Sequence, residues 1–171
     1  MKITINMLSK MEKPCEDGAR WFKDLGEDDL CDIVKKSIAQ GTESMNYCNW
    51  GIMHLLSKTG RVRYSCYAAR QVLKIYTDKY PDDNRVLAAI EAAEKWVDNP
   101  NAANAAHAAN AANAAAYAAN GAYAAHAAYA ANAAANAASA AAYAAANAAA
   151  YAVDNKLRAK ILRHGVRLLL A

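Results

Sequence analysis

Between Asn101 and Val153 the chain carries no Asp, Glu, Lys or Arg, and roughly two-thirds of the residues are Ala. This stretch restricts the fold more than any other feature. Alanine loses the least free energy in a helix. Low-complexity disorder draws on charge or proline, and the stretch has neither. Long helices are therefore expected. The exceptions to Ala follow a rule. Asn101, Asn104, His107, Asn110 and Asn113 recur every three residues. Tyr117, Asn120, Tyr123, His126, Tyr129 and Asn132 continue after one step of four, and Asn136, Ser139, Tyr143, Asn147 and Tyr151 lean toward steps of four. A helix turns about 100° per residue, so the early exceptions wind around it and the late ones keep to one stripe. Helices coated in Ala approach one another closely. Asn120-Gly121 is the natural interruption, because Gly accepts a left-handed cap. Two helices of about twenty to thirty residues, packed as a hairpin, are expected there, with one kinked rod as the second reading.

The rest of the chain also reads as helix. Pro14 fits the first turn of a helix that starts near Cys15 and is anchored by Trp21 and Phe22, and Gly26 ends it. Residues 27–40 run from acidic to basic, which suits the helix dipole. Leu30, Ile33, Val34 and Ile38 make their apolar face, and Gly41 stops them. Thr42 or Ser44 is expected to cap a helix through Trp50, Ile52 and Leu55, with Gly60 as its stop. Residues 61–79 continue to the Tyr80-Pro81-Asp82-Asp83 break, after which Asp82 or Asp83 can cap a helix over 84–98. Residues 3–11 suit a short strand or a short helix. The fold class expected is all-α: a bundle of short N-terminal helices with long Ala-rich helices packed as a hairpin. Three regions follow, 1–100, 101–153 and a basic amphipathic helix over 154–171, in one domain.

Charge and cysteine narrow the function classes. The net charge is +4. Acidic and basic residues balance before residue 100, so the excess lies in Lys156, Arg158, Lys160, Arg163 and Arg167 against Asp154 alone. Such a tail can meet an acidic protein surface or nucleic acid, while the plainer reading is a solvated helix face. Cys15, Cys31, Cys48 and Cys66 form no Cys-x-x-Cys pair, and no N-terminal apolar stretch reads as a signal peptide, so a cytoplasmic protein with reduced thiols is expected. The Ala stretch is long enough to cross a membrane but carries a polar residue every three or four positions, so no membrane span is expected.

The sequence shows none of the familiar catalytic patterns. No Gly-rich phosphate loop occurs. His54, His107, His126 and His164 lie far apart, and the four cysteines lack the tight pairs of structural zinc. Neither a metal nor a cofactor is expected. A non-catalytic binding protein is the leading expectation, with affinity concentrated in aromatic and basic anchors. Trp21, Trp50, Arg61, Arg63, Tyr64, Arg163 and Arg167 are the candidates. The alternative is a small-ligand or nucleotide site lined by Tyr117, Tyr123, His126, Tyr129 and Tyr143. Self-association of the Ala helices into an oligomer is a further reading.

Three stretches carry a resemblance. Ile3-Thr4-Ile5-Asn6-Met7-Leu8 followed by Cys15-Glu16-Asp17-Gly18-Ala19-Arg20-Trp21-Phe22 resembles the opening of small proteins of phage and prophage genomes. Cys66-Tyr67-Ala68-Ala69-Arg70, Tyr80-Pro81-Asp82-Asp83 and Ile90-Glu91-Ala92-Ala93 leading to Trp96, together with the Ala-rich run, resemble a family of bacterial and phage immunity proteins. The immunity-like part covers residues 63–153. The resemblance implies a protein that neutralises another protein: a toxin, or an antiviral-defence component such as a CRISPR effector. It transfers no catalytic residue. The chain departs from that family in carrying many Asn where more charge is expected.

Overall fold

Several helices of the N-terminal half begin or end at a residue whose chemistry accounts for the boundary. The computed structural model describes residues 1–9, 14–101 and 155–171. Within them run α1 (Ile5–Ser9), α2 (Glu16–Leu25), α3 (Leu30–Gln40), α4 (Thr42–Leu55), α5 (Lys58–Lys79), α6 (Arg85–Asp98) and α7 (Asn155–Leu170). The all-α expectation holds, and no strand occurs among the described residues. The hairpin expected at Asn120-Gly121 lies outside them.

Cys15 caps α2, its Sγ accepting from the Gly18 N–H at 3.3 Å, and Gly26 closes the helix at φ 66°. That left-handed conformation favours a residue without Cβ. The helix expected over 27–40 starts later, at Leu30. Asp29 acts as its N-cap, accepting from the Cys31 N–H at 2.9 Å. The residues before it pair with the N-terminus instead: Ile3 N–H donates to Asp28 O at 2.6 Å and Leu30 N–H to Met1 O at 2.9 Å. The start of the chain therefore contributes a single bridge, between Lys2 and Asp29, and then the short α1 within the expected 3–11, of which residues 10 and 11 lie outside the described ones.

Gly41 alone joins α3 to α4, at φ 101°, and it holds the N-cap position expected for Thr42 or Ser44. Gly60 is not a stop. α4 ends at Leu55, and Gly60 lies in the first turn of α5, its N–H bonded to Ser57 Oγ at 3.1 Å. Arg61 secures that corner by donating to the carbonyls of Leu56 at 3.0 Å and His54 at 3.5 Å. A cation at carbonyls left over by a helix end is favourable. At α6 the N-cap is Asn84, without a side-chain bond, while Asp83 accepts from Arg85 N–H at 3.0 Å.

The packing is organised by α4 and α7. α7 lies against α3, α4 and α5, and α6 covers another face of α5. Two hydrogen bonds give α7 the same direction as α4: Thr42 Oγ1 to Asn155 Oδ1 at 3.1 Å, and Arg158 Nη1 to Asn46 Oδ1 at 3.2 Å. Two further contacts run it antiparallel to α5: Lys160 Nζ to Gln71 Oε1 at 2.8 Å, and a Tyr67–His164 ring stack at 3.8 Å. Ile161 and Leu162 are fully buried in the same core as Ile52, Met53 and Tyr64. Each such side chain contributes about 1.5–3 kcal/mol on burial. Gly165 sets how closely the helices approach. A Cβ there would stand 2.6 Å from Ile52 Cγ2 and 2.8 Å from Tyr64 Cε2. The basic C-terminal stretch thus has one face locked inside the protein.

Candidate functional site

α7 has two faces, and its residue spacing separates them. Ala159, Ile161, Leu162, Gly165 and Val166 point inward. Lys156, Lys160, Arg163 and Arg167 are exposed. Their spacing of four, three and four keeps all four on one stripe of the helix. Lys160 reaches the neutral Gln71. Arg163 and Arg167 have no carboxylate partner among the described residues. Several cations of other helices do find carboxylates, although Lys23, Arg63 and Lys95, like Arg163 and Arg167, have none among the described residues. Arg20 pairs with Asp17 at 3.2 Å, Lys35 with Asp32 at 2.8 Å, Lys36 with Glu27 at 2.7 Å and Lys74 with Asp78 at 2.7 Å. Beside the stripe, His164 stacks on Tyr67 with 13° between the rings. Burial, followed by the charge of Arg167, holds the His164 pKa below its ordinary 6.5. The antiparallel register carries the exposed Arg63 of α5 to the level of Arg167 and Leu168.

Across the molecule, α1, α2, α3 and α4 enclose an apolar pocket of about 250 Å³. Its walls include Phe22 and Trp21 from α2, Ile33 from α3, and Trp50, Ile52 and Leu55 from α4. Trp21 is pinned at the rim, its Nε1–H donating to Gln40 Oε1 at 2.7 Å, and its ring lies 5.8 Å from that of Tyr47. The Tyr47 hydroxyl donates to Glu43 Oε1 at 2.8 Å, and that carboxylate, with burial second, pushes its pKa up to about 12. Trp50 stacks on His54 at 4.0 Å. Cys15 stands at the mouth, exposed, and Cys48 lies buried in the wall, its thiol pushed up to about 12 by burial against a weaker hydrogen bond from Ser37. A thiol held so far above neutral pH stays protonated and is a poor nucleophile. The pocket suits an apolar group and offers almost no polar lining to a charged one.

The sequence-derived anchors divide on this geometry. Arg63 of α5 and Arg163 and Arg167 of α7 are exposed, while Trp21 and Trp50 are half-buried at the pocket. Arg61 serves the α4–α5 corner. Tyr64 is corrected outright: it is fully buried, and its hydroxyl donates to the equally buried Asn49 Oδ1 at 2.7 Å. A ring enclosed by Ile52 and Gly165 cannot meet a partner. Tyr117, Tyr123, His126, Tyr129 and Tyr143 lie outside the described residues. Neither the pocket nor the Asn49–Tyr64 pair was foreseen. The pocket joins residues distant in sequence, and only Trp21 and Trp50 signalled it. Among the described residues, no cluster of His, Cys, Asp or Glu could hold a metal ion, and no helix is long and apolar enough to cross a membrane.

Fold and site together define an all-helical protein that, among the described residues, carries a cationic helix face and an apolar pocket. Residues 49–167 match the model of a family of unknown function (DUF6931), and the chain belongs to that family. The matched stretch takes in α5, α6, most of α7 and both partners of the buried Asn49–Tyr64 bond. The α1, α2 and α3 walls of the pocket precede it. No curated protein and no solved structure matches the chain.

Proposed function

We propose that the chain is a non-catalytic binding protein that blocks another protein by stoichiometric contact. The single observation that supports this most is the outer face of α7. Arg163 and Arg167 project from a helix whose inner face is locked by Ile161, Leu162 and Gly165. Side chains presented from a rigid backbone lose less freedom on binding, so more of each contact appears as affinity. The resemblance to phage and immunity proteins adds the identity of the target class. The target is a toxin or a component of bacterial antiviral defence, met in the cytoplasm where the free thiols stay reduced. The test is affinity capture of the tagged protein from a lysate carrying toxins and defence systems, at two salt concentrations. One stoichiometric protein that survives the higher salt is the expected result. No protein partner, or only salt-labile nucleic acid, overturns the reading.

A second reading has its own observation. The pocket between α1 and α4, at about 250 Å³, can take a small apolar ligand. Its apolar lining argues against a nucleotide, whose phosphates would be left without partners. Thermal stabilisation by small aromatic compounds, but not by ATP, is the result expected on this reading.

A further inference from the structure

Two cations of the outer stripe of α7, Arg163 and Arg167, have no internal explanation among the described residues. Cations repeated at i and i+4 on one helix repel each other and weaken it. The helix dipole favours Arg167, in the last turn, but not Lys156, in the first. Ion pairing among the described residues leaves Arg163 and Arg167 aside, as it does Lys23 and Lys95, although Lys35, Lys36 and Lys74 find carboxylates. The self-repulsion persists because the inner face of α7 is held by burial.

The geometry of the stripe selects a partner. At about 1.5 Å of rise per residue, Lys156, Lys160, Arg163 and Arg167 stand roughly 6, 4.5 and 6 Å apart along a straight line. A second α-helix with carboxylates at the same repeat meets them in register. At a shallow crossing angle of about 20° the match lasts over these three turns. Beyond Arg167 the stripe ends in Leu170, 55% exposed, which offers an apolar contact. A phosphate backbone has no use for that leucine and curves away from a straight line of charges. No exposed aromatic side chain lies among the four cations to stack on a base.

We propose that the outer face of α7 docks an acidic amphipathic helix of the partner protein, with Lys160, Arg163 and Arg167 meeting its carboxylates and Leu170 its apolar edge. Lys156 extends the stripe at one end and Arg63 of α5 widens it at the other. The proposal rests on the protein-blocking reading but fails separately from it. A captured partner that stays bound to the Arg163→Gln/Arg167→Gln variant keeps that reading and removes this face.

The direct test needs no partner. A fluorescent helix-forming peptide of about twenty residues carries Glu at i, i+4, i+7 and i+11. A control peptide has the same composition with the Glu spread around the helix, and a short DNA duplex is the third probe. Anisotropy titrations compare the three at one ionic strength. The in-register peptide is expected to bind about tenfold more tightly than the control, and the double variant to lose about tenfold while its circular dichroism is unchanged. Equal binding of the two peptides, no binding, an undiminished variant, or tighter binding of the duplex each overturns the proposal.

Discussion

The two sides of α4 are built differently. Toward α5 and α7 the packing is closed to the point that Gly165 has no room for a methyl group, with Ile52 Cγ2 at 2.6 Å from where it would sit. Toward α1 and α2 the same helix borders about 250 Å³ of apolar space. Both sides are lined by large hydrophobic side chains, so composition does not make the difference. Backbone approach does. The closed side brings Gly165 against Ile52 and Tyr64, while on the open side Gly18, Ala19 and Gly51 stand with the rings of Trp21, Phe22 and Trp50 around a gap. The closed side carries stability, and the open side can accept change or a ligand.

The largest effect expected follows from that contrast. Leu162→Ala, on the closed side, should cost about 2–5 kcal/mol in urea unfolding. Phe22→Ala, beside a void that already exists, should cost about 1–2 kcal/mol. Equal losses would erase the distinction. Next come two substitutions that add atoms. Gly165→Ala gains helix propensity but overpacks, with a net loss of about 2 kcal/mol. Ala19→Leu fills the pocket and should leave stability unchanged or raise it by about 1 kcal/mol. A destabilised Ala19→Leu protein would mean that the pocket is not available space.

Tyr64→Phe is smaller again, about 1 kcal/mol, because it removes one hydrogen bond and leaves Asn49 Oδ1 buried without it. Asn49 Nδ2 already lacks a partner among the described residues. Calorimetry of this variant beside Tyr47→Phe, at the open side, tells whether the buried bond or the exposed one matters. The smallest effect is pH-dependent. The His164 pKa is lowered on folding by burial and by Arg167. The unfolded chain therefore takes the proton first, and stability declines as pH falls below about 6.5 toward the folded value. His164→Gln should flatten that decline in urea midpoints measured from pH 7.5 to 5, and an unchanged slope would assign it to other groups.

Much of the helix layout was legible in the residues. Gly26, Gly41 and the Tyr80-Pro81 break punctuate the chain as read, since a glycine with positive φ and a proline act locally. Gly60 misled because a glycine signals a stop or a first turn equally well, and Ser57 decides between them by bonding its N–H. Asp29 shortened α3 by capping two residues beyond the start of the acidic run. The candidate sites were less legible. Tyr64 sits between Arg61 and Arg63 and looks exposed in one dimension. Its burial follows from Gly165, about a hundred residues away, and no local pattern encodes that approach. The amphipathic pattern of 154–171 was visible, but not that its apolar side closes the core between α3, α4 and α5.

That closure has a consequence for how the chain is born. The Thr42–Asn155 and Asn46–Arg158 bonds join residues 113 and 112 apart. Bridging so long a gap adds little at equilibrium, because loop entropy grows only as the logarithm of length. Time is another matter. At about 5–20 residues per second, a ribosome needs roughly 6–23 seconds after Thr42 to deliver its mate. For most of that interval, once they are made, the greasy seam of Ile52, Met53 and Tyr64 has no α7 to cover it. Chaperone dependence during translation, more than thermal fragility afterwards, is where this architecture is most exposed.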